Sequence, residues 1–164
     1  MKQMAFWLAL AALVTALGLW PTKAHDASEL LLPAQVLVVD ASRGTVTVKA
    51  DGGASGSGKS LGEALEDMRA HAPGELFLQT AEYVVIGERA WYLLPQAVSS
   101  RDLRPAARLV RAEGGLPEAE EALEFLQAHA PELTLGEAYA ALLRGEPVLA
   151  QTLRQTEGRL LLAG

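Results

Sequence analysis

The sequence predicts an α/β (α+β) domain, a mixed β-sheet covered by amphipathic helices, on three observations. A β-branched run at Val36-Leu37-Val38-Val39 is followed by an alternating run at Thr45-Val46-Thr47-Val48, two signatures of sheet. Residues 60–72 and 118–130 repeat apolar side chains at three- and four-residue spacing, which gathers them on one helical face. With 164 residues, 50% of them hydrophobic, the chain can fill one core and has little left for a second. The expected organisation is an export signal or membrane anchor over residues 1–24, then one domain over residues 25–164.

At the amino end, Lys2 precedes an uncharged stretch from Met4 to Trp20, and Pro21-Thr22-Lys23-Ala24 offers small residues for cleavage near His25. The same stretch can instead stay on as an anchor, since about 17 apolar residues fall just short of a bilayer span. Either way, the leading lysine places the rest of the chain outside the cytoplasm. Residues 28–32 are expected to form a short helical turn ended by Pro33. A strand follows at residues 35–40. Ala41-Ser42-Arg43-Gly44 then forms a four-residue turn, and residues 45–49 return antiparallel as a hairpin.

The glycine and serine run at residues 52–58 has little side chain to pack and is predicted to be a flexible loop. Ser60 lies three residues before Glu63, the spacing of a capping box whose carboxylate reaches back to the cap amide. Leu61, Ala64, Leu65, Met68 and Ala72 then share a helix face, and Pro73-Gly74 ends the helix. Residues 75–79 and 82–88 are strand candidates. Residues 90–98 fit either a short helix with Pro95 in its first turn or a helix broken there. A strand is expected at 107–112 and a turn at 113–117, with Pro117 suited to a first helical position. The helix at 118–130 follows, carrying Ala122, Leu123, Leu126 and Ala130 as its stripe. Thr134 and Glu137 form a second cap for a helix over 135–144, and residues 148–150 and 159–163 are the closing strand candidates.

Composition excludes several chemistries. There is no cysteine, so disulfides, thiolate metal sites and cysteine nucleophiles are ruled out. The net charge is −6, more negative still if Lys2 and Lys23 are removed, and no basic cluster exists. That balance argues against nucleic acid or an anionic lipid surface as partner.

Two catalytic signatures coincide at one place. Gly53, Gly58, Lys59 and Ser60 fit G-x-x-x-x-G-K-[ST], a loop whose amides cradle phosphate while the lysine neutralises it. The strand ahead of it alternates, however, whereas a phosphate-loop strand is buried on both faces and continuously apolar. Gly58-Lys59-Ser60-Leu61-Gly62 also fits G-x-S-x-G, with Asp102 and His129 as conceivable partners of a Ser60 nucleophile. That elbow needs a taut strand entering it, and here a slack glycine-serine run precedes. A helix cap explains Ser60 with fewer assumptions. Glu120, Glu121 and Glu124 are expected on a solvated face near the positive helix end, and His71 and His129 in last turns where the helix dipole favours a cation. No catalytic, cofactor-binding or metal-ligating residue is therefore expected, and the chain is read as a non-enzyme.

Beyond these elements, the order of short motifs resembles the N-terminal domain of the spore germination receptor C subunits, the Ger(x)C family. The resemblance rests on Gly56-Ser57-Gly58-Lys59-Ser60, then Glu63-Ala64-Leu65, Pro73-Gly74-Glu75-Leu76-Phe77 and Ile86-Gly87-Glu88-Arg89-Ala90. Members carry G-x-G-x-[ST], E-A-L, P-x-x-L-F and I-G-E-x-x-A in that order. His25-Asp26-Ala27-Ser28-Glu29-Leu30 is similar to their W-D-x-x-E-I start, Val36-Leu37-Val38-Val39-Asp40 to their first strand ending in G-[IV]-D-K, and Ser100-Arg101-Asp102-Leu103 to R-D-x-x-[IL]-R. The resemblance implies a non-catalytic, exported subunit acting in spore germination beside integral-membrane receptor subunits, on the outer face of the spore inner membrane. Members are anchored by a cysteine directly before W-D, where this chain has Ala24, and are more than twice as long. Membrane association would then run through the uncleaved apolar segment or through a partner. A secreted binding module of unrelated ancestry is the alternative, with a nucleotide-binding protein or a hydrolase using Ser60 further off.

Overall fold

The computed structural model describes residues 31–156 and 158–164, so the export signal or anchor expected over residues 1–24 lies outside the described residues. In chain order the elements are β1 (Leu31–Pro33), β2 (Val36–Ser42), β3 (Thr45–Ala50), β4 (Ser55–Gly58), α1 (Leu61–His71), β5 (Glu75–Phe77) and β6 (Tyr83–Gly87). They continue with α2 (Leu94–Ser99), β7 (Arg108–Glu113), α3 (Ala119–His129), α4 (Leu135–Leu143), β8 (Thr152–Thr156) and β9 (Arg159–Ala163). Of the helical turn expected at 28–32, the described part belongs instead to β1, which pairs in parallel with β5 as a separate two-stranded sheet.

The predicted mixed sheet is present. Its seven strands run in the order β4-β3-β2-β6-β7-β8-β9. The centre, β2-β6-β7-β8, is parallel, and an antiparallel hairpin closes each side. Strand alternation sorts the core into two faces. Leu37, Val39, Val84, Ile86 and Leu109 point to one, beneath Leu61, Leu65 and Met68 of α1, Ala97 of α2 and Ala138 of α4. Val36, Val38, Val85 and Val110 point to the other, beneath Ala122 and Leu126 of α3. Burial on both faces explains why Val36 to Val39 show no alternation in the sequence.

Four further expectations need correction. The hairpin turn has two residues, because Ala41 and Ser42 continue β2 and Ser42 pairs with Thr45. Arg43 and Gly44 both have positive φ, 52° and 81°, the mirror-image turn whose twist suits a hairpin. The glycine-serine run is no loose loop: residues 51–53 form a short 3-10 turn and Ser55–Gly58 is a paired strand. Its stability comes from backbone pairing and close approach to α1, not from side chains. Residues 148–150 do not form a strand; β8 starts at Thr152, hidden in the sequence because only Leu153 of its five residues is buried. Finally, residues 78–80 turn away from β5 as a 3-10 turn. The ambiguous stretch at 90–98 resolves into a 3-10 turn, Glu88–Leu93, running into α2, with Pro95 tolerated in its first turn.

The link from α3 to α4 explains how β7 is held along its whole length. Leu109 donates its amide to the Leu133 carbonyl at 2.7 Å and Leu135 donates to Ala107 at 2.8 Å, while β8 pairs with residues 111–113. Two segments thus share one side of β7.

Candidate functional site

Ser60 lies where the capping argument places it. Its Oγ accepts from the Glu63 amide at 3.2 Å, but the Glu63 carboxylate accepts from the amide of Lys59 at 2.8 Å, one residue earlier than a capping box requires. Gly53 and Gly58 bracket an extended segment in which Thr47 faces Ser57 and Val48 faces Gly56, and the Ser57 amide donates to Asp67 at 2.8 Å. Those backbone groups do not converge as a phosphate cradle does. Nor are the elbow residues brought together: His129 ends α3, which covers the opposite face of the sheet from α1, and Asp102 pairs with Arg69 at 2.6 Å.

Both helix-end histidines occupy last turns as expected. The Nδ1 of His71 lies 2.9 Å from the Asp67 carbonyl, and that of His129 lies 2.8 Å from the Phe125 carbonyl. His129 also stacks on Phe125 with ring centroids 4.0 Å apart. Glu121 and Glu124 are exposed or nearly so, but Glu120 does more than face solvent: it accepts from the Gly52 amide at 3.1 Å, beside a Lys49–Glu118 pair at 2.9 Å. These contacts tie the start of α3 to the turn after β3. Among the described residues no group of three or more histidine, aspartate or glutamate side chains could hold a metal ion.

The concave feature with the best topological rationale lies elsewhere, at the carboxyl ends of the parallel strands. After β6 the chain turns to the face of α1 and α2, whereas after β7 it passes through Gly114-Gly115 to α3 on the other face. Neighbouring parallel strands whose connections leave in opposite directions open a crevice between them. Here it is a cleft of about 330 Å³ lined by Asp40, Gly87, Glu88, Arg89, Gly115 and Leu116 among others. A side chain on Gly87 would start 3.2 Å from Leu116 and 3.3 Å from the Asp40 carboxylate, so this glycine keeps the floor open. Asp40, whose side chain is only 25% exposed, accepts from Arg89 Nη2 at 2.7 Å.

From that pair the charges alternate along the carboxyl edge. Glu88 meets Arg111 at 3.3 Å, and Arg111 also lies over the Trp91 ring, 5.5 Å from its centroid. Glu113 bonds both Nε and Nη2 of Arg154, at 3.0 and 2.8 Å. The Nε of Arg111 is buried and has no hydrogen-bond partner among the described residues. The cleft lining offers the carboxylates of Asp40 and Glu88, the Arg89 guanidinium and an apolar wall at Ala112 and Leu116. Compared with protein-family models, with curated proteins and with solved structures, the chain matches none.

Sequence reasoning did not single out the cleft. Asp40 was visible as an acid ending a strand and Gly87-Glu88-Arg89 as part of a motif, but nothing local says that they meet across 47 residues of chain. Parallel pairing of β2 with β6 does that, setting Val39 beside Ile86.

Proposed function

We propose that this chain is an exported, membrane-associated and non-catalytic subunit of the spore germinant-receptor C type. It acts in germination through protein contacts beside integral-membrane receptor subunits, on the outer face of the spore inner membrane. What supports this reading is the meeting of its motifs. The acid that ends the first-strand motif, Asp40, and the Gly87-Glu88 of the I-G-E-x-x-A motif end neighbouring parallel strands and line one cleft. The G-x-G motif likewise falls where α1 crosses β4, at Gly56 and Gly58, where a side chain has no room. The cleft also favours a second reading, a secreted module whose ligand sits at the switch between β6 and β7.

The two readings separate in spores of the organism that encodes the chain. Deleting it is expected to abolish germination in response to nutrients while spore yield stays normal, and cross-linking in isolated inner membranes is expected to join it to an integral-membrane subunit. Normal nutrient germination, with the chain recovered free of such subunits, would leave only the secreted module.

A further inference from the structure

The two edges of the main sheet are treated differently. At β4 the edge is closed: α1 crosses over Gly56, Asp67 takes the Ser57 amide at 2.8 Å, and Glu63 takes the Lys59 amide at 2.8 Å. At β9 nothing comparable is present among the described residues. Among the described residues β9 pairs with β8 alone, leaving its outer row of backbone groups free. Its sequence, Arg159-Leu160-Leu161-Leu162-Ala163, has one charge and no proline. Leu161 is 56% exposed, and Leu160 and Leu162 are only half-buried against the α3 side of the core. An unprotected apolar edge of this kind templates strand pairing with another chain.

We propose that β9 pairs antiparallel with β9 of a second copy, about a two-fold axis at Leu161, so that the two sheets become one. The sequence of the strand is self-complementary in that register. Leu161 lies opposite its mate, Leu160 opposite Leu162 of the other copy, and Arg159 opposite an alanine, so no like charges face each other. The pleat agrees, because Leu160 and Leu162 share one face and Leu161 the other in both copies, and a shift by one residue would break that match. On the α3 side, Leu160 borders a shallow groove of about 290 Å³ lined with Phe125, Ala128 and His129. The leucine pair of the second copy extends that apolar surface across the axis. An isologous contact built from one strand meets the closure rule for a dimer, which leaves no edge for further growth.

The absence of cysteine allows a direct test on the full chain, kept soluble in mild detergent. Sedimentation is expected to show a dimer, and Leu161→Lys is expected to shift it to monomer with an unchanged circular dichroism spectrum. Leu161→Cys is expected to form a disulfide-linked dimer under mild oxidation at least ten times faster than Leu143→Cys, a control on α4 that is 71% exposed. Three results would overturn the proposal. They are a monomeric wild type at high micromolar concentration, a dimer that survives Leu161→Lys and therefore forms through another segment, and equal cross-linking of the two cysteine variants. Pairing with a strand of some other protein would appear as the first of these.

Discussion

Gly56 and Gly62 sit in the same short segment, and a methyl group added to each is expected to act in opposite directions. At Gly56 a Cβ would overlap the Ala64 carbonyl and the backbone of Met68, so α1 and β4 would have to separate. At Gly62 the nearest atom would be the Ser60 hydroxyl at 4.0 Å, and the position is helical. Gly56→Ala should therefore lose about 1–3 kcal/mol of stability, the range for overpacking a tight contact. Gly62→Ala should gain up to about 1 kcal/mol from helix propensity. Urea unfolding of the two variants checks this, and a loss at both positions would mean that the turn into α1 is strained in a way its backbone does not reveal. The pair also shows what a sequence conceals. Composition reads every glycine of residues 52–58 as freedom, and at Gly52, with φ of 79°, that is right. Gly56 is present for want of a side chain, which depends on a helix that the loop has not yet reached. Asp51 is a second case: its carboxylate accepts from the amides of Gln35 and Val36 at 2.7 and 2.9 Å, a bridge between residues far apart in sequence.

At the scale of elements, the caps were the most legible features, because they depend on residues three apart. Thr134 and Glu137 complete a full capping box, with the Glu137 carboxylate accepting from the Thr134 amide at 2.9 Å and hydroxyl at 2.8 Å. The amide bond, and then the hydroxyl, hold the Glu137 carboxyl below its ordinary value of 4.5. A carboxyl depressed in the folded state contributes stability that is present above its unfolded value and is lost as the pH falls through the folded value. The urea midpoint should thus fall as the pH drops below 4.5, and Glu137→Gln should flatten part of that fall. It should not remove all of it, because Arg144 lowers Glu146 in the same way, chiefly by a hydrogen bond. Thr134→Ala should cost about 1 kcal/mol at neutral pH, the usual value of a cap, and also lessen the acid dependence. An acid limb identical in all three proteins would show that the box carries no linked proton. Strands were less legible where they are half-exposed. The sequence places a closing strand at residues 148–150, where Leu149 is in fact 82% exposed, and passes over β8, whose Thr152 and Arg154 are paired between two neighbours.

For the whole molecule, a mixed sheet with helices could be read from periodicity, but strand order could not, since parallel pairing joins residues with no local signature. Order is what makes the two faces unequal. One carries α1, α2 and α4 over a broad apolar cluster, and the other carries α3 over a smaller one whose margin, at Leu160 and Leu162, is partly open. α3 is fastened there by Ala119, Ala122 and Leu126, with Leu123 and Phe125 half-buried beside them and exposed polar ties to Lys49 and Gly52 that add little in water. A helix held against the smaller of the two clusters should detach before the sheet unfolds, at a free energy below the global value. Hydrogen exchange followed by mass spectrometry is expected to show α3 losing protection first, with β2 and β6 the last to exchange. Leu126→Ala, removing a fully buried side chain at a cost of about 2–5 kcal/mol, should speed exchange in α3 far more than in β2 or β6. Leu65→Ala, on the crowded face, should instead lower protection throughout. If the two variants gave the same pattern, α3 would belong to the single cooperative unit, and the cleft whose far wall is the β7–α3 loop would be as rigid as the sheet beneath it.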